Sequence, residues 1–297
     1  MKNEKLTGTP IAGHSLIERA ARLYDFSAAA MAGPAATALS EPTVPAPTVD
    51  PAWRAAPAEG RHGTVDAAAL REAGFILPDS AVSALAEEFR IIKRQLLLDA
   101  DRVPHGRRIL VASAQTGDGK TFCAVNLALS LAAEREIDVL LVDADFAKPT
   151  VLSTLGLEGG PGLIDALSDP AVDVEACVIR TDIPHLSVLP AGRQSNEATE
   201  LLASDRTRAV LDLLAARHPK RVILFDSPPV LAASPAAVLA QHVGQTIVVV
   251  RADRTSEAEL KEAVGLLDGC AHIQLLLNGV DLPGRASRYG SYYGHGG

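Results

Sequence analysis

The stretch SAQTGDGKT, residues 113–121, joins the apolar run RRILVAS to the helix-forming run KTFCAVNLALSLAA. An apolar strand that passes through a glycine-containing turn into a helix is the setting of a phosphate-binding loop. In such a loop the backbone N–H groups and the positive end of the helix dipole face the anion. The sequence therefore predicts a polyphosphate site here, with ATP as the ligand.

Individual residues of this loop have predicted tasks. Lys120 adds a positive charge beside the β- and γ-phosphates, and Thr121 offers its hydroxyl to magnesium. Gly117 and Gly119 allow close backbone approach. The strict pattern has glycine where this chain has Ala114, and the plain alternative is an ordinary strand-to-helix turn with a surface lysine. The predicted nucleotide contacts in the loop are Gln115, Thr116, Gly117, Asp118, Gly119, Lys120 and Thr121.

Six apolar runs alternate with helical stretches after residue 106 of the chain. They are RRILVAS, IDVLLVD, LSVLP, RVILFD, TIVVVR and IQLLLN. Continuous apolar strands separated by helices predict a mostly parallel sheet covered by helices on both faces. The expected fold class is therefore α/β, of the P-loop NTPase type.

Three aspartates stand at the ends of predicted strands. Asp143 ends IDVLLVD, Asp145 follows two residues later on the same side of an extended chain, and Asp226 ends RVILFD before a Ser-Pro-Pro turn. Ligands of open α/β sheets collect at this carboxyl edge. Because magnesium is held by few carboxylates together with phosphates, Thr121 and one or two of these aspartates suffice for it. A third aspartate then remains to act on the hydroxyl nucleophile. The plain alternative for each aspartate alone is a turn-forming residue after a strand.

The patterning divides the chain into four parts. Residues 1–27 hold a short amphipathic helix, and residues 28–76 form a linker dominated by Ala, Pro and Thr. Residues 77–281 form the P-loop domain, which opens with a long amphipathic helix in DSAVSALAEEFRIIKRQLLLDA. Residues 282–297 form a flexible tail rich in Gly and Tyr.

Composition limits the classes of function. The net charge of -8 argues against binding of nucleic acid through the overall charge. The three cysteines lack metal-ligand spacing, which favours reduced thiols. No apolar run approaches the roughly 20 residues that cross a bilayer, and the N-terminus lacks a secretory signal, so we expect a cytoplasmic protein.

Together these features resemble the bacterial tyrosine kinases of exopolysaccharide and capsule synthesis. The resemblance rests on the GKT loop, the DAD strand end at residues 143–145, the DSPP strand end at Asp226 and the tyrosine cluster after Asp281. It extends from about Pro78 to the C-terminus. The segment EEFRIIKRQLL is similar to the cytosolic autokinases associated with exosortase-linked polysaccharide loci. The resemblance implies a non-specific protein-tyrosine autokinase that uses ATP and magnesium and regulates polysaccharide polymerisation and export.

The resemblance also assigns tasks to residues. Asn278, which ends IQLLLN, is implied to contact adenine, and Lys148 stands where the family has arginine at the end of its DxD stretch. The implied catalytic residues are Lys120, Asp143 and Asp145. The implied metal ligands are Thr121, Asp145 and Asp226.

Subunit contacts and partners are further implications of the resemblance. In the family, the helix before the phosphate loop carries a Glu, Arg, Arg pattern that joins subunits into a ring. Glu87 and Arg90 match it, and Lys93 stands at the third position, where lysine keeps the charge but loses the bidentate fork. Implied partners are a membrane polysaccharide co-polymerase that completes the ATP site and a tyrosine phosphatase. The implied location is peripheral to the inner membrane, through the co-polymerase.

The C-terminal tail has the composition of a kinase substrate. Three of the four tyrosines, Tyr289, Tyr292 and Tyr293, lie in its last nine residues, among glycines. We expect them to be the phosphoacceptors, because a mobile tail can reach the site of a neighbouring subunit. The plain alternative is a low-complexity end with adhesive aromatic residues.

Two other functions are compatible with the same fold. A partitioning or division-site ATPase of the Min or Par type would carry a second lysine where this chain has Gln115, and a C-terminal amphipathic helix, which the sequence lacks. A nucleotide-gated assembly module would regulate polysaccharide export by binding alone. Transfer of label from γ-labelled ATP to the protein distinguishes the kinase from this module.

Overall fold

The computed structural model describes residues 60–78, 83–218 and 220–280. The predicted N-terminal helix, most of the predicted linker and the tail lie outside the described residues. The predicted acceptors Tyr289, Tyr292 and Tyr293 lie there as well.

Eight strands and ten helices lie within the described residues. The strands are β1 (Arg61–Gly63), β2 (Arg108–Ser113), β3 (Asp138–Asp143), β4 (Ile179–Thr181), β5 (Leu186–Leu189), β6 (Arg221–Asp226), β7 (Gln245–Arg251) and β8 (Ile273–Asn278). The helices are α1 (Ala67–Glu72), α2 (Ala84–Ala100), α3 (Lys120–Ala132), α4 (Val151–Leu155), α5 (Leu163–Ser168), α6 (Val174–Cys177), α7 (Ala198–Leu202), α8 (Asp205–Ala216), α9 (Pro235–Ala240) and α10 (Glu257–Leu266).

The strands form one sheet in the order β1-β4-β5-β3-β6-β2-β7-β8. The six apolar runs of the sequence are β2, β3, β5, β6, β7 and β8, and neighbouring members of this set pair in parallel. Only β4 pairs antiparallel to its neighbour β5, so the prediction of a mostly parallel sheet is confirmed. One edge of the sheet therefore collects the carboxyl ends of β2, β3, β6 and β8.

The core is divided by the sheet into two layers. Along β3, Val139 and Leu141 join one cluster of buried residues, whereas Leu140 and Val142 join the other. Side chains of a strand alternate between faces, so a strand that is apolar throughout must be covered on both. The two clusters confirm that helices cover both faces.

Helices α2 and α3 pack against each other on one face of the sheet. Ser83 caps α2, its Oγ accepting a hydrogen bond from the backbone N–H of Ala86 at 3.1 Å. Phe89 and Leu96 of α2 are buried, as its amphipathic pattern predicts. Nearly every residue of α3 is buried, so this helix fixes the phosphate loop rigidly to the core.

The last part of the predicted linker differs from the prediction. Within residues 60–76 lie β1 and α1, and Val65 and Leu70 are buried in the core. The backbone N–H of Val65 donates to Asp182 Oδ1 at 2.8 Å, and that of Ile76 donates to Asn126 Oδ1 at 2.8 Å. These partners are distant in sequence, so composition alone could not reveal them. Among the described residues, no helix is long and apolar enough to cross a membrane.

Candidate functional site

The phosphate loop lies between the end of β2 and the start of α3. Gly117 and Gly119 have φ angles of 85° and 97°, in the left-handed region that favours glycine. A Cβ atom on Gly119 would lie 2.1 Å from Nδ2 of Asn278, which makes a side chain there sterically impossible without rearrangement. The two predicted glycines are thus required by backbone geometry as well as by close approach.

Ala114 occupies the position where the strict motif has glycine. It is completely buried within one of the two core clusters, and it is not among the described residues with positive φ. Its backbone conformation is therefore open to any L-residue. The departure from the motif at Ala114 is compatible with an intact loop.

Side chains within the loop fix its shape. Ser113 Oγ donates to the carbonyl oxygen of Gln115 at 2.8 Å, and the backbone N–H of Gln115 donates to Asp118 Oδ2 at 2.9 Å. Asp118 is fully buried, and its Oδ1 has no hydrogen-bond partner among the described residues. The N–H of Gln115 is thus engaged inside the loop, although Gln115 was predicted to contact the nucleotide.

Lys120, the first residue of α3, is almost buried at the carboxyl edge of the sheet. Burial lowers the pKa of its ammonium group, and the nearby carboxylates of Asp226, Asp145 and Asp118 oppose that shift. A buried cation among acids lies in a region of weak dielectric screening, where its attraction for phosphate is strong.

Thr121 and Asp226 meet directly, although 105 positions separate them in the sequence. Thr121 Oγ1 donates to Asp226 Oδ2 at 2.6 Å and lies 3.3 Å from Thr150 Oγ1. Burial raises the pKa of Asp226 to about 7, with the negative charges of Asp143 and Asp145 adding to the shift. Asp226 Oδ1 is buried without a hydrogen-bond partner among the described residues.

Asp143 lies beside Asp226 because the two residues are register partners on β3 and β6. Its Oδ2 accepts from the backbone N–H of Val151 at 2.9 Å, and its Oδ1 from that of Asp145 at 3.2 Å. Burial raises the pKa of Asp143 to about 6 despite these hydrogen bonds. Asp143 therefore holds the start of α4 as well as standing in the site.

Asp145 is half-buried and forms a turn with the residue that replaces the family arginine. Its Oδ1 accepts a hydrogen bond from the backbone N–H of Lys148 at 3.1 Å, and Lys148 is exposed. This turn keeps the Asp145 side chain close enough to Lys120 to influence that lysine's pKa.

The polar groups around Asp226 are suited to magnesium. Among the described residues, no three His, Cys, Asp or Glu side chains form a metal cluster. Magnesium, however, commonly takes one or two protein oxygens, water and phosphate. The hydroxyl of Thr121 and the unpartnered Asp226 Oδ1 fit this requirement, and a cation there would offset the desolvation of Asp226.

Asn278, at the end of β8, touches the phosphate loop. Its Nδ2 donates to the carbonyl oxygen of Asp118 at 2.8 Å, and its Oδ1 accepts from the N–H of Gly279 at 2.9 Å. The residue with a predicted adenine contact thus also fixes the loop, a task that its strand position alone did not suggest.

The three residues of the predicted subunit contact divide into two groups. Arg90 is half-exposed and pairs with Glu87 along the surface of α2. Lys93 instead points into the subunit, where its Nζ donates to the carbonyl oxygen of Ser130 at 2.7 Å and pairs with Glu134 at 2.8 Å. Lys93 therefore stabilises the packing of α2 on α3. Of the other two residues, Arg90 has 49% of its side chain exposed and Glu87 only 15%.

Two further residues contact the phosphate loop and escaped the sequence analysis. Arg254 donates to the carbonyl oxygen of Thr116 at 3.2 Å, and Glu259 Oε1 accepts from Gln115 Nε2 at 3.2 Å. They follow β7, far from the motif, and belong to no recognised pattern. The capping sequence Ser256 to Glu259 was the available clue, because it fixes the start of α10 beside the sheet edge.

Comparisons with known proteins show the family of this chain. The AAA domain family matches residues 106–264, more than half of the chain. The EpsB protein of Ralstonia nicotianae is 32% identical over 193 residues, 64% of this chain and 25% of EpsB. The tyrosine-protein kinase YwqD of Bacillus subtilis is 31% identical over 212 residues, 70% of this chain and 86% of YwqD.

The chain belongs to the bacterial tyrosine kinase family. Its fold is also that of the kinase domain of the Escherichia coli tyrosine kinase ETK, with a TM-score of 0.62 and 23% identity over 70% of this chain and 80% of that domain. Membership of this P-loop family implies nucleotide binding. The chain spans only a quarter of the length of EpsB.

Proposed function

We propose that the chain is an ATP-dependent protein-tyrosine kinase that phosphorylates Tyr289, Tyr292 and Tyr293 of a neighbouring copy. The observation that carries this proposal is the direct contact of Thr121 with Asp226 beside Lys120, which groups a phosphate-binding cation with oxygens suited to magnesium. The names of the relatives support the choice of tyrosine as acceptor.

The chemistry follows from the charges at the sheet edge. The loop N–H groups and Lys120 bind the polyphosphate of ATP and stabilise charge on the γ-phosphoryl group during transfer. Thr121 and Asp226, with Asp145, would hold magnesium, which when bound neutralises charge on the β- and γ-phosphates. The tyrosine oxygen forms a bond to the γ-phosphorus while the bond from that phosphorus to the β-phosphate oxygen breaks, releasing ADP.

Asp143 receives the proton of the tyrosine hydroxyl in this scheme. Its pKa of about 6 makes it a base that is ionised at neutral pH yet close enough to that pH to take up a proton. Each of its oxygens accepts one backbone hydrogen bond, which fixes the carboxyl group and leaves a lone pair for the substrate.

The wider role proposed is regulation of exopolysaccharide polymerisation and export. In this role a membrane polysaccharide co-polymerase would activate the kinase at the cytoplasmic face of the inner membrane, a tyrosine phosphatase would reverse the modification, and copies would form a ring. The half-exposed Arg90, which Glu87 holds on α2, supports a contact between copies.

Mass spectrometry after incubation with ATP and magnesium tests the activity and locates the acceptor. We expect phosphotyrosine on the tail, and its complete loss in Lys120→Ala. Lys220→Ala is the matched control, because Lys220 is exposed at the opposite edge of the sheet.

Replacing Tyr289, Tyr292 and Tyr293 together by Phe should likewise abolish phosphotyrosine. Modification that persists in this variant would place the acceptor at Tyr24, the one other tyrosine. Absence of phosphotyrosine in the unmodified protein, despite nucleotide binding, would contradict the kinase and favour a module that acts by binding alone.

A further inference from the structure

The connection between β7 and α10, residues 252–256, lies against the carbonyl side of the phosphate loop. Arg254 Nη2 donates to the carbonyl oxygen of Thr116 at 3.2 Å, and Nη1 lies 3.5 Å from that of Gly117. A Cβ atom on Gly117 would lie only 2.9 Å from Nη1. The guanidinium group is therefore seated directly on the loop.

This connection is itself held firmly. The backbone N–H of Ala252 donates to the carbonyl oxygen of Asn278 at 2.8 Å, which fixes the connection to β8. Glu259 Oε2 accepts from the N–H and Oγ of Ser256 at 2.8 and 2.7 Å, and its Oε1 accepts from Gln115 Nε2 at 3.2 Å. The backbone that carries Arg254 is thus fixed on both sides of this residue.

Peptide geometry links these contacts to phosphate binding. In a trans peptide the C=O and the N–H of the next residue point in opposite directions. Holding the carbonyls of Thr116 and Gly117 on one side turns the N–H groups of Gly117 and Asp118 to the other. Successive N–H groups that point the same way form the concave anion site of a phosphate loop.

We propose that Arg254 is a positioning residue of the nucleotide site, which keeps the Thr116–Gly117 and Gly117–Asp118 peptides oriented for phosphate before the nucleotide arrives. Such preorganisation increases affinity because the loop need not be ordered upon binding. The inference rests on the nucleotide-binding part of the proposed function, and it does not require that the chain transfers phosphate.

Titration calorimetry with ADP and magnesium on the full chain tests the proposal. Arg254→Ala should raise the Kd for ADP by about tenfold, the effect expected for loss of one charge-assisted hydrogen bond. Because Arg254 is exposed, the Tm without nucleotide should stay unchanged, whereas the rise in Tm on adding ADP should shrink. Arg135→Ala, an exposed substitution beyond the C-terminal end of α3, should match the parent protein.

Two further measurements distinguish positioning of the loop peptides from a general effect of Arg254 on protein stability. Arg254→Lys keeps the charge but not the planar fork, so its Kd should stay closer to that of Arg254→Ala than to that of the parent. If the kinase is active, KM for ATP should rise in Arg254→Ala while the rate at saturating ATP changes by less than about twofold.

The outcomes distinguish this inference from the proposed function. An unchanged Kd in Arg254→Ala, or a fall in Tm without nucleotide that accounts for the weaker binding, overturns the positioning role. Normal ADP binding by the parent without any phosphotyrosine overturns the kinase and leaves the Arg254 measurement valid. A parent protein that does not bind ADP overturns both.

Discussion

At the end of β6, Asp226 has one carboxylate oxygen that accepts a hydrogen bond from Thr121. Its other oxygen is buried without a hydrogen-bond partner among the described residues. Burial raises its pKa from 3.8 to about 7. Between these two values the folded protein holds a proton that the unfolded chain releases. The contribution of Asp226 to the free energy of unfolding therefore falls as the pH rises from about 4 to 7. A site suited to magnesium thus destabilises the protein when no cation is bound.

Asp226→Asn should remove the loss of stability that comes from burying the charged carboxylate of Asp226. Without nucleotide or metal, we expect the variant to exceed the parent in free energy of unfolding by about 1–4 kcal/mol at pH 8, and by clearly less at pH 5. Urea unfolding at the two pH values measures the difference. The same variant should lose phosphotyrosine formation.

The control for this experiment is Asp268→Asn, which removes an exposed carboxylate by the same substitution. A variant at Asp226 that is less stable than the parent at pH 8 would show that the carboxylate is well accommodated in its charged form. Ala114, unlike Asp226, is expected to cost no stability. It departs from the strict motif, but it is not among the described residues with positive φ.

Helix α2 combines an inward charge and an outward charge within one turn. The pKa of Glu134 on the α3 side is lowered chiefly by its hydrogen bond with Lys93, and Lys93 also donates to a backbone carbonyl of α3. Arg90, one turn earlier, is half-exposed and pairs along the helix surface with Glu87. The two charges therefore have different surroundings, and we expect them to serve different purposes.

Methionine at the two positions should separate these purposes. Lys93→Met leaves Glu134 without its main partner, so we expect a loss of about 1–3 kcal/mol in the free energy of unfolding. Arg90→Met should change it by less than about 0.5 kcal/mol but reduce the mass of any homo-oligomer in light scattering. Equal losses of stability in the two variants would contradict this division.

Across the whole molecule, the parallel sheet is what joins the parts of the site. The ends of β2, β3, β6 and β8 lie at one edge, which brings together residues from the phosphate loop to Asn278. The predicted acceptor tyrosines lie outside the described residues. We propose that the tail of one copy reaches this edge in another copy.

Mixing two variants that cannot modify themselves tests phosphorylation between copies. One chain carries Lys120→Ala with its tail intact, and the other carries Phe at Tyr289, Tyr292 and Tyr293 with its site intact. With ATP and magnesium, we expect phosphotyrosine on the Lys120→Ala chain only in the mixture. Each variant alone serves as the control. If the proteins autophosphorylate only within one copy, the mixture will remain unmodified.

The sequence by itself determined six of the eight described strands, the phosphate loop and the three strand-end aspartates, because local period and turn residues mark apolar strands and a glycine turn directly. Only the tertiary structure decided that Thr121 bonds to Asp226, that Lys93 points inward and that Arg254 lies on the loop. It also placed Val65 and Leu70, from the predicted linker, in the core. The physical reason is that these contacts join residues far apart in the chain, whose meeting depends on strand order and helix packing, which no local pattern specifies.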